Sequence, residues 1–156
     1  MERIGHSSES NAREELLQLE RSGHFVFHGS PSDTETLEPR EAHDDKRGSE
    51  GAPAVYASPS ADYAIFAALV KPYGGTSVST ETNPDGSYSL SFAATAKALS
   101  ILNDDPVGWV YVMPREGYER HGKSPSEYKH TKHQRPFLKI RVRKRDITFD
   151  IKVIED

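Results

Sequence analysis

Hydrophobic and polar positions change period several times along the chain, and each change marks an element. Residues 1–9 are polar and predict a flexible tail. SNAREELLQLERSG predicts a helix. Ser10 or Asn11 can cap it, acids fill its first turn, Leu16, Leu17 and Leu19 give it an apolar side, and Gly23 can end it. FVFHGS, Phe25 to Ser30, is a near-continuous apolar run of the kind a buried strand shows, and it stops abruptly on histidine, glycine and serine. Residues 31–52 are charged and aperiodic, a loop long enough to be either functional or disordered. Its mixed charges, from Glu38 and Arg40 to Lys46 and Arg47, predict exposure and mobility. APAVYAS predicts a second short strand. SPSADYAIFAALVKPYGG then predicts a helix with Ser58 as N-cap, Pro59 at its first position, and Ala61, Ile65, Ala68 and Leu69 on one face.

The second half alternates with period two. TSVSTET and SYSLSFAA flank NPDG, a hairpin signal. ATAKALSIL is open between a continued strand and a short helix. GWVYVMP predicts a strand, and REGYERHGKSPSEYKHTKHQRP a basic loop carrying short strand pieces. FLKIRVRKRD alternates imperfectly, while ITFDIKVIE places Ile147, Phe149, Ile151 and Val153 on one face. Two helices near the front and about six strands predict an α+β fold, with residues 10–156 as a single domain.

Composition narrows the chemistry. The 156 residues are 35% hydrophobic and 28% charged, as in ordinary globular chains. The absence of cysteine excludes disulfides, thiolate metal sites and a cysteine nucleophile. The first residues carry no long apolar run, so neither a signal peptide nor a membrane span is expected, and a cytoplasmic location is. A net charge of −4 gives no global case for nucleic acid binding, yet Arg120 to Arg145 holds ten Lys or Arg against one acid, Glu127. Such a segment can attract a phosphate-bearing ligand or an acidic partner, or be a solvated strand face. His130 and His133 have metal-like spacing, but no third ligand stands near them in the sequence, and no metal is expected.

His28 ends a core strand and precedes Gly29, which lets something approach the backbone closely. Its plain role would be a ring bonded to a neighbouring carbonyl. A second short strand also ends on a polar ring, Tyr56, and the helix after it carries Ser60 and Tyr63 in its first turns. Two buried strands delivering polar rings suggest one cleft, suited to a flat polar ring and a sugar.

FHGS, VYASPSADYA and SEYKHTKHQRPFLKIRV, taken in order, resemble the three signature segments of the His-Tyr-Glu branch of the ADP-ribosyltransferases. That branch includes diphtheria toxin and the poly(ADP-ribose) polymerase catalytic domain. The likeness covers roughly residues 24–70 and 107–146. It implies a split β-sheet core with an N-terminal helix and a helix after the second strand. The implied activity is NAD-dependent mono-ADP-ribosyl transfer to a protein or nucleic acid acceptor. The implied roles put His28 on the adenosine-side ribose and Gly29 and Ser60 on the nicotinamide carboxamide, with Ser30 also among the NAD-binding residues. Tyr63 would stack on the nicotinamide ring, Tyr56 would wall its other face, and Glu127 would bond the nicotinamide ribose 2′-hydroxyl. His28, Tyr56 and Glu127 would be the catalytic set, with NAD as co-substrate and no metal.

The chemistry suits these residues. The bond broken joins a ribose C1′ to a cationic pyridinium, so no strong general acid is needed. The transition state is oxocarbenium-like and requires a fixed negative group. Basic neighbours in sequence, Lys123, Lys129, Lys132 and Arg135, are expected to keep Glu127 ionised. Pro125, two before Glu127, is neither Glu nor Gln, which disfavours arginine as the acceptor. The chain is much smaller than polymer-forming members, which favours single transfer. NAD glycohydrolase activity uses the same residues, and a non-catalytic NAD or ADP-ribose binding module is a further alternative. RNA 2′-phosphotransferase chemistry would want arginines near His28, and none precedes Arg40 after it.

Overall fold

A strand buried on both faces cannot alternate, and GWVYVMP is such a strand. In the computed structural model, which describes residues 12–39, 53–120 and 125–155, β1 spans Phe25–Ser30, β5 spans Val107–Pro114 and β8 spans Leu138–Arg143. β5 lies between β1 and β8, antiparallel to both. Val110 and Val112 face one core, and Tyr111 and Met113 face another.

Among the described residues two further three-stranded sheets flank this one. The first joins β2 (Val55–Ala57) to β7 (Tyr128–His130) and β7 to β6 (Glu119–Arg120), all antiparallel. The second is the predicted hairpin, β3 (Thr76–Thr82) with β4 (Tyr88–Thr95), extended by β9 (Ile151–Ile154) parallel to β4. Helices α1 (Ala12–Ser22) and α2 (Ala61–Leu69) pack on the central sheet, and ATAKALSIL resolves into the end of β4 and a short α3 (Ala96–Leu99). The α+β class holds.

The main core lies between the helices, the central sheet and the hairpin sheet. α2 buries Ala61, Ala64, Ile65, Phe66, Ala68 and Leu69, far more than one stripe, because Phe66 meets Phe92 of β4 with ring centres 5.0 Å apart while the alanines face the central sheet. That alanine face needs glycine opposite it. A Cβ on Gly29 would lie 1.9 Å from the Ala64 carbonyl oxygen, and one on Gly108 would lie 2.8 Å from the Ala68 Cβ.

Three details differ from the sequence reading. Ser60, not Ser58, caps α2: its side chain accepts from the Tyr63 N–H at 3.2 Å. Ser58 is still extended there, because it exchanges main-chain bonds of 2.7 and 2.8 Å with Phe27. β8 buries Leu138, Ile140 and Val142, a clean alternation one residue out of step with Phe137, which is 53% exposed. The last strand is short, with Ile147 and Phe149 packing on the core before it begins and Val153 at its edge 60% exposed. The tail 1–9, the caps Ser10 and Asn11, and residues 40–52 lie outside the described residues. Gly23 ends α1 as expected, with φ of 75°.

Gly29→Ala is expected to cost stability well beyond the ~1–3 kcal/mol typical of an overpacked core, because the added methyl meets a helix carbonyl that cannot turn aside. Gly108→Ala, which meets a side-chain methyl, is expected to cost less. Urea denaturation of both variants checks the order.

Candidate functional site

β1 sorts its residues by parity. Arg115 N–H donates to the His24 carbonyl (2.8 Å), and Phe27 spends both main-chain groups on Ser58. With the β1–β5 register fixed, even-numbered residues therefore bond to β5, and odd-numbered ones turn their N–H and C=O to the outer edge. Gly29 follows Phe27 by two, so its N–H and C=O both face that edge. Its missing Cβ is directed out of the sheet plane, at α2. The close approach expected at this glycine is thus made by helix backbone, while its own donor and acceptor stand side by side at the rim.

His28 lies on the opposite face, with Val26. Its Nδ1 lies 2.6 Å from the Tyr56 carbonyl oxygen, the plain role foreseen for it. A carbonyl only accepts, so Nδ1 carries a proton in this contact. The ring tilts over Tyr111 with centres 6.2 Å apart. Tyr111 was not foreseen. Its buried hydroxyl donates to the Ser32 carbonyl (2.5 Å) and accepts from the Thr34 N–H (2.8 Å). Ser30 Oγ accepts from the Ser32 N–H at 3.0 Å, Lys139 pairs with Asp33, and Leu37 and Gln134 exchange main-chain bonds of 2.8 Å. The first part of the predicted mobile loop, to residue 39, is therefore anchored. Its later charges lie outside the described residues.

The remaining predicted residues come together around α2. β2 pairs with β7 so that Tyr56 opposes Lys129, two residues beyond Glu127. Glu127 Oε1 accepts from the Tyr63 hydroxyl at 2.8 Å. Burial, and then the negative charge of Glu127, push the Tyr63 phenol up, so it stays a neutral donor. Tyr63 stands in the first turn of α2, tied to Ser60 by the cap, and the Lys71 ammonium lies 5.5 Å from its ring centre. Ser60 Oγ accepts from the Tyr63 N–H and still has a proton to donate. Buried Ser126 meets Thr80 Oγ1 at 2.9 Å and pins the segment before Glu127.

Lys123, one of the basic neighbours expected to keep Glu127 ionised, lies outside the described residues. Among the described residues no lysine or arginine forms an ion pair with Glu127; what touches the carboxylate is a phenol. Lys129 instead sits on β7 between Tyr56 and Glu119 in register. A second unforeseen contribution comes from α1. Glu20 Oε1 accepts from the Ala61 N–H at 2.6 Å, and Arg13 forks onto Asp62 with two bonds of 3.1 Å, so α1 fixes the start of α2 from outside. Desolvation pushes the Glu20 carboxyl up, and the Ala61 N–H pulls against it.

These contacts close a circuit. His28 leads to Tyr56, the Tyr56 strand to β7, β7 to Glu127, Glu127 to Tyr63, Tyr63 to Ser60, and Ser58 back to Phe27 beside His28. A separate open cleft of about 850 Å³ lies between the hairpin and the start of α2, lined by Tyr88, Phe92, Phe149 and Lys152 among others. It shares only Ser60 with the predicted residues. Among the described residues no helix is long and apolar enough to cross a membrane.

Tyr63→Phe keeps the ring and removes the bond to Glu127. A part-buried hydrogen bond to a charged group contributes ~1.5–3 kcal/mol, and a loss of that order is expected in denaturant melts. A loss under ~0.5 kcal/mol would mean that the contact does not hold the carboxylate. No protein-family model matches the chain, and neither a curated protein nor a solved structure matches it significantly.

Proposed function

We propose that this protein is an NAD-dependent mono-ADP-ribosyltransferase of the His-Tyr-Glu type, with an ADP-ribosyltransferase-like core. The observation that carries the reading is the 2.8 Å bond between Tyr63 and Glu127, residues 64 positions apart whose proposed roles require them to share a nicotinamide riboside. Gly29 supports it. A primary carboxamide offers one acceptor and a donor pair, and the outward N–H and C=O of Gly29 match it as a neighbouring strand would. Ser60 can add a donor, and the face of Tyr63 supplies the stacking surface. His28, held by its Nδ1 proton, presents Nε2 to a ribose hydroxyl.

In this reading the C1′–N bond breaks with its electron pair moving onto the pyridinium, which leaves as neutral nicotinamide. Positive charge gathers on the ribose ring. Glu127, fixed by Tyr63, lies against the 2′-hydroxyl and stabilises that charge. The acceptor attacks C1′ and loses a proton. If water attacks instead, the outcome is NAD hydrolysis, so transfer and glycohydrolase activity share every residue named. A pure NAD or ADP-ribose binding module would need no carboxylate at this place. Cytoplasmic action on a protein or nucleic acid acceptor is part of the proposal.

With NAD and a cell lysate or nucleic acid, nicotinamide release is expected, and with NAD alone little. Glu127→Gln is expected to lower the release rate by ~10²–10³, the cost of losing one transition-state stabilising group, while NAD affinity changes little. A dinucleotide carrying a carboxylate in place of the carboxamide lacks the donor for the Gly29 carbonyl and is expected to react poorly. Unchanged release by Glu127→Gln, measured by chromatography of free nicotinamide, would overturn the reading.

A further inference from the structure

The alternation of β8 has a second consequence. With Leu138, Ile140 and Val142 buried toward the helices, Lys139, Arg141 and Arg143 form a row on the other face of the central sheet. That is the face of His28 and Ser30. The register makes it continuous: Ser30 opposes Trp109, and Trp109 opposes Arg141. Tyr111, beside His28, opposes Lys139. Trp109 is half-buried and the Lys139 ammonium lies 5.2 Å from its ring centre. Lys144 and Arg145 follow the row and are exposed.

We infer that this face binds a single strand of nucleic acid and presents it as the acceptor; the acceptor role rests on the reading above, the binding does not. Alternate residues of a strand repeat at ~6.6–6.8 Å, so the three cations are spaced like consecutive phosphates of an extended strand. An indole set among cations is the usual platform for stacked bases. An acidic peptide has no use for it. A duplex is a poorer fit, because groove reading needs a protruding helix or ribbon, and the row lies along a strand, beside the segment that covers Tyr111. Among the described residues, Asp33 and Glu35 stand near Lys139 and Asp105 near Arg143. Asp33 pairs with Lys139, and Asp105 lies 3.9 Å from Arg143, both at partly exposed positions. Such pairs are weak and exchange readily for phosphate. The ammonium over Trp109 can move to a phosphate as a base takes its place. Trp109 is the direct neighbour of Ser30, two residues beyond His28, so a bound strand runs beside the proposed ribose contact.

The test is a fluorescence-anisotropy titration of the intact protein, without NAD, using short labelled single-stranded DNA and RNA across a salt series. Wild type is expected to bind with affinity falling steeply in salt. Arg141→Ala, a substitution at the sheet surface, is expected to reduce the slope of log affinity against log salt by about 0.7. Trp109→Ala is expected to weaken binding about 5- to 150-fold with the slope unchanged, the magnitude of one lost base stack. If Trp109→Ala does not fold, the Arg141 slope alone decides. No binding, an unchanged slope in Arg141→Ala, or equal binding of polyglutamate would each overturn the inference. If Arg141→Ala weakens NAD binding in calorimetry and leaves the oligonucleotide untouched, the face belongs to the dinucleotide and only this inference falls. Labelled NAD added to the bound strand is expected to label it. Binding without labelling, while a lysate protein is labelled, would remove the acceptor role and leave the proposed activity standing.

Discussion

The closeness of α2 to the central sheet is the constraint on which the site depends. Helix backbone reaches sheet backbone only where neither side carries a Cβ larger than alanine's, and here Gly29 and Gly108 meet Ala64 and Ala68. That contact sets the height of α2 over β1, and so the height of Ser60 and Tyr63 at its first turn. From there Tyr63 reaches Glu127, and the Phe27–Ser58 bridge locks the approach to α2 against the strand that carries His28. Glu20 and Arg13 reinforce the same geometry from the outside. A side chain at either glycine would lift the whole first turn.

The elements with strong local signals were legible in the sequence. The hairpin around NPDG, the end of α1 at Gly23 and the two short strands after it stand where period and turn residues place them. What local signals could not give was pairing. Whether Ser58 or Ser60 caps α2 depends on Ser58 being claimed by Phe27, a contact 31 residues away in the chain. The buried face of β8 hinged on β5 as its neighbour, because FLKIRV offers a weak choice between Phe137 and Leu138. Tyr111 reads as one more apolar residue in GWVYVMP until register sets it opposite His28.

The candidate site divides the same way. The residue types came from short motifs, and the structure places His28, Tyr56, Ser60, Tyr63 and Glu127 in one connected circuit. The sequence named basic neighbours for Glu127 but not its contact, because Glu127 precedes β7 and the group that meets it, a phenol, comes from another element. Nearness to Lys129 in the chain says nothing about contact. A neutral donor fixes a carboxylate without neutralising it. That suits a group whose proposed task is to present negative charge, since a lysine pair would offset the field that an oxocarbenium ion needs.

Gly29 illustrates why function at this site is better probed from the ligand than from the protein. Its missing side chain is required by α2, and its main-chain pair is what the proposed carboxamide would meet. One demand is met out of the sheet plane and the other along its edge, and a substitution disturbs both at once. Loss of activity in a Gly29 variant would therefore be the expected result of a displaced helix, whatever binds at the rim. Changing the carboxamide leaves the packing of Ala64 and Ala68 intact, so only the main-chain recognition is altered. The same reasoning separates Tyr63 from Glu127. Removing the phenol hydroxyl frees the carboxylate without removing its charge, whereas removing the charge leaves the phenol and the stacking face in place.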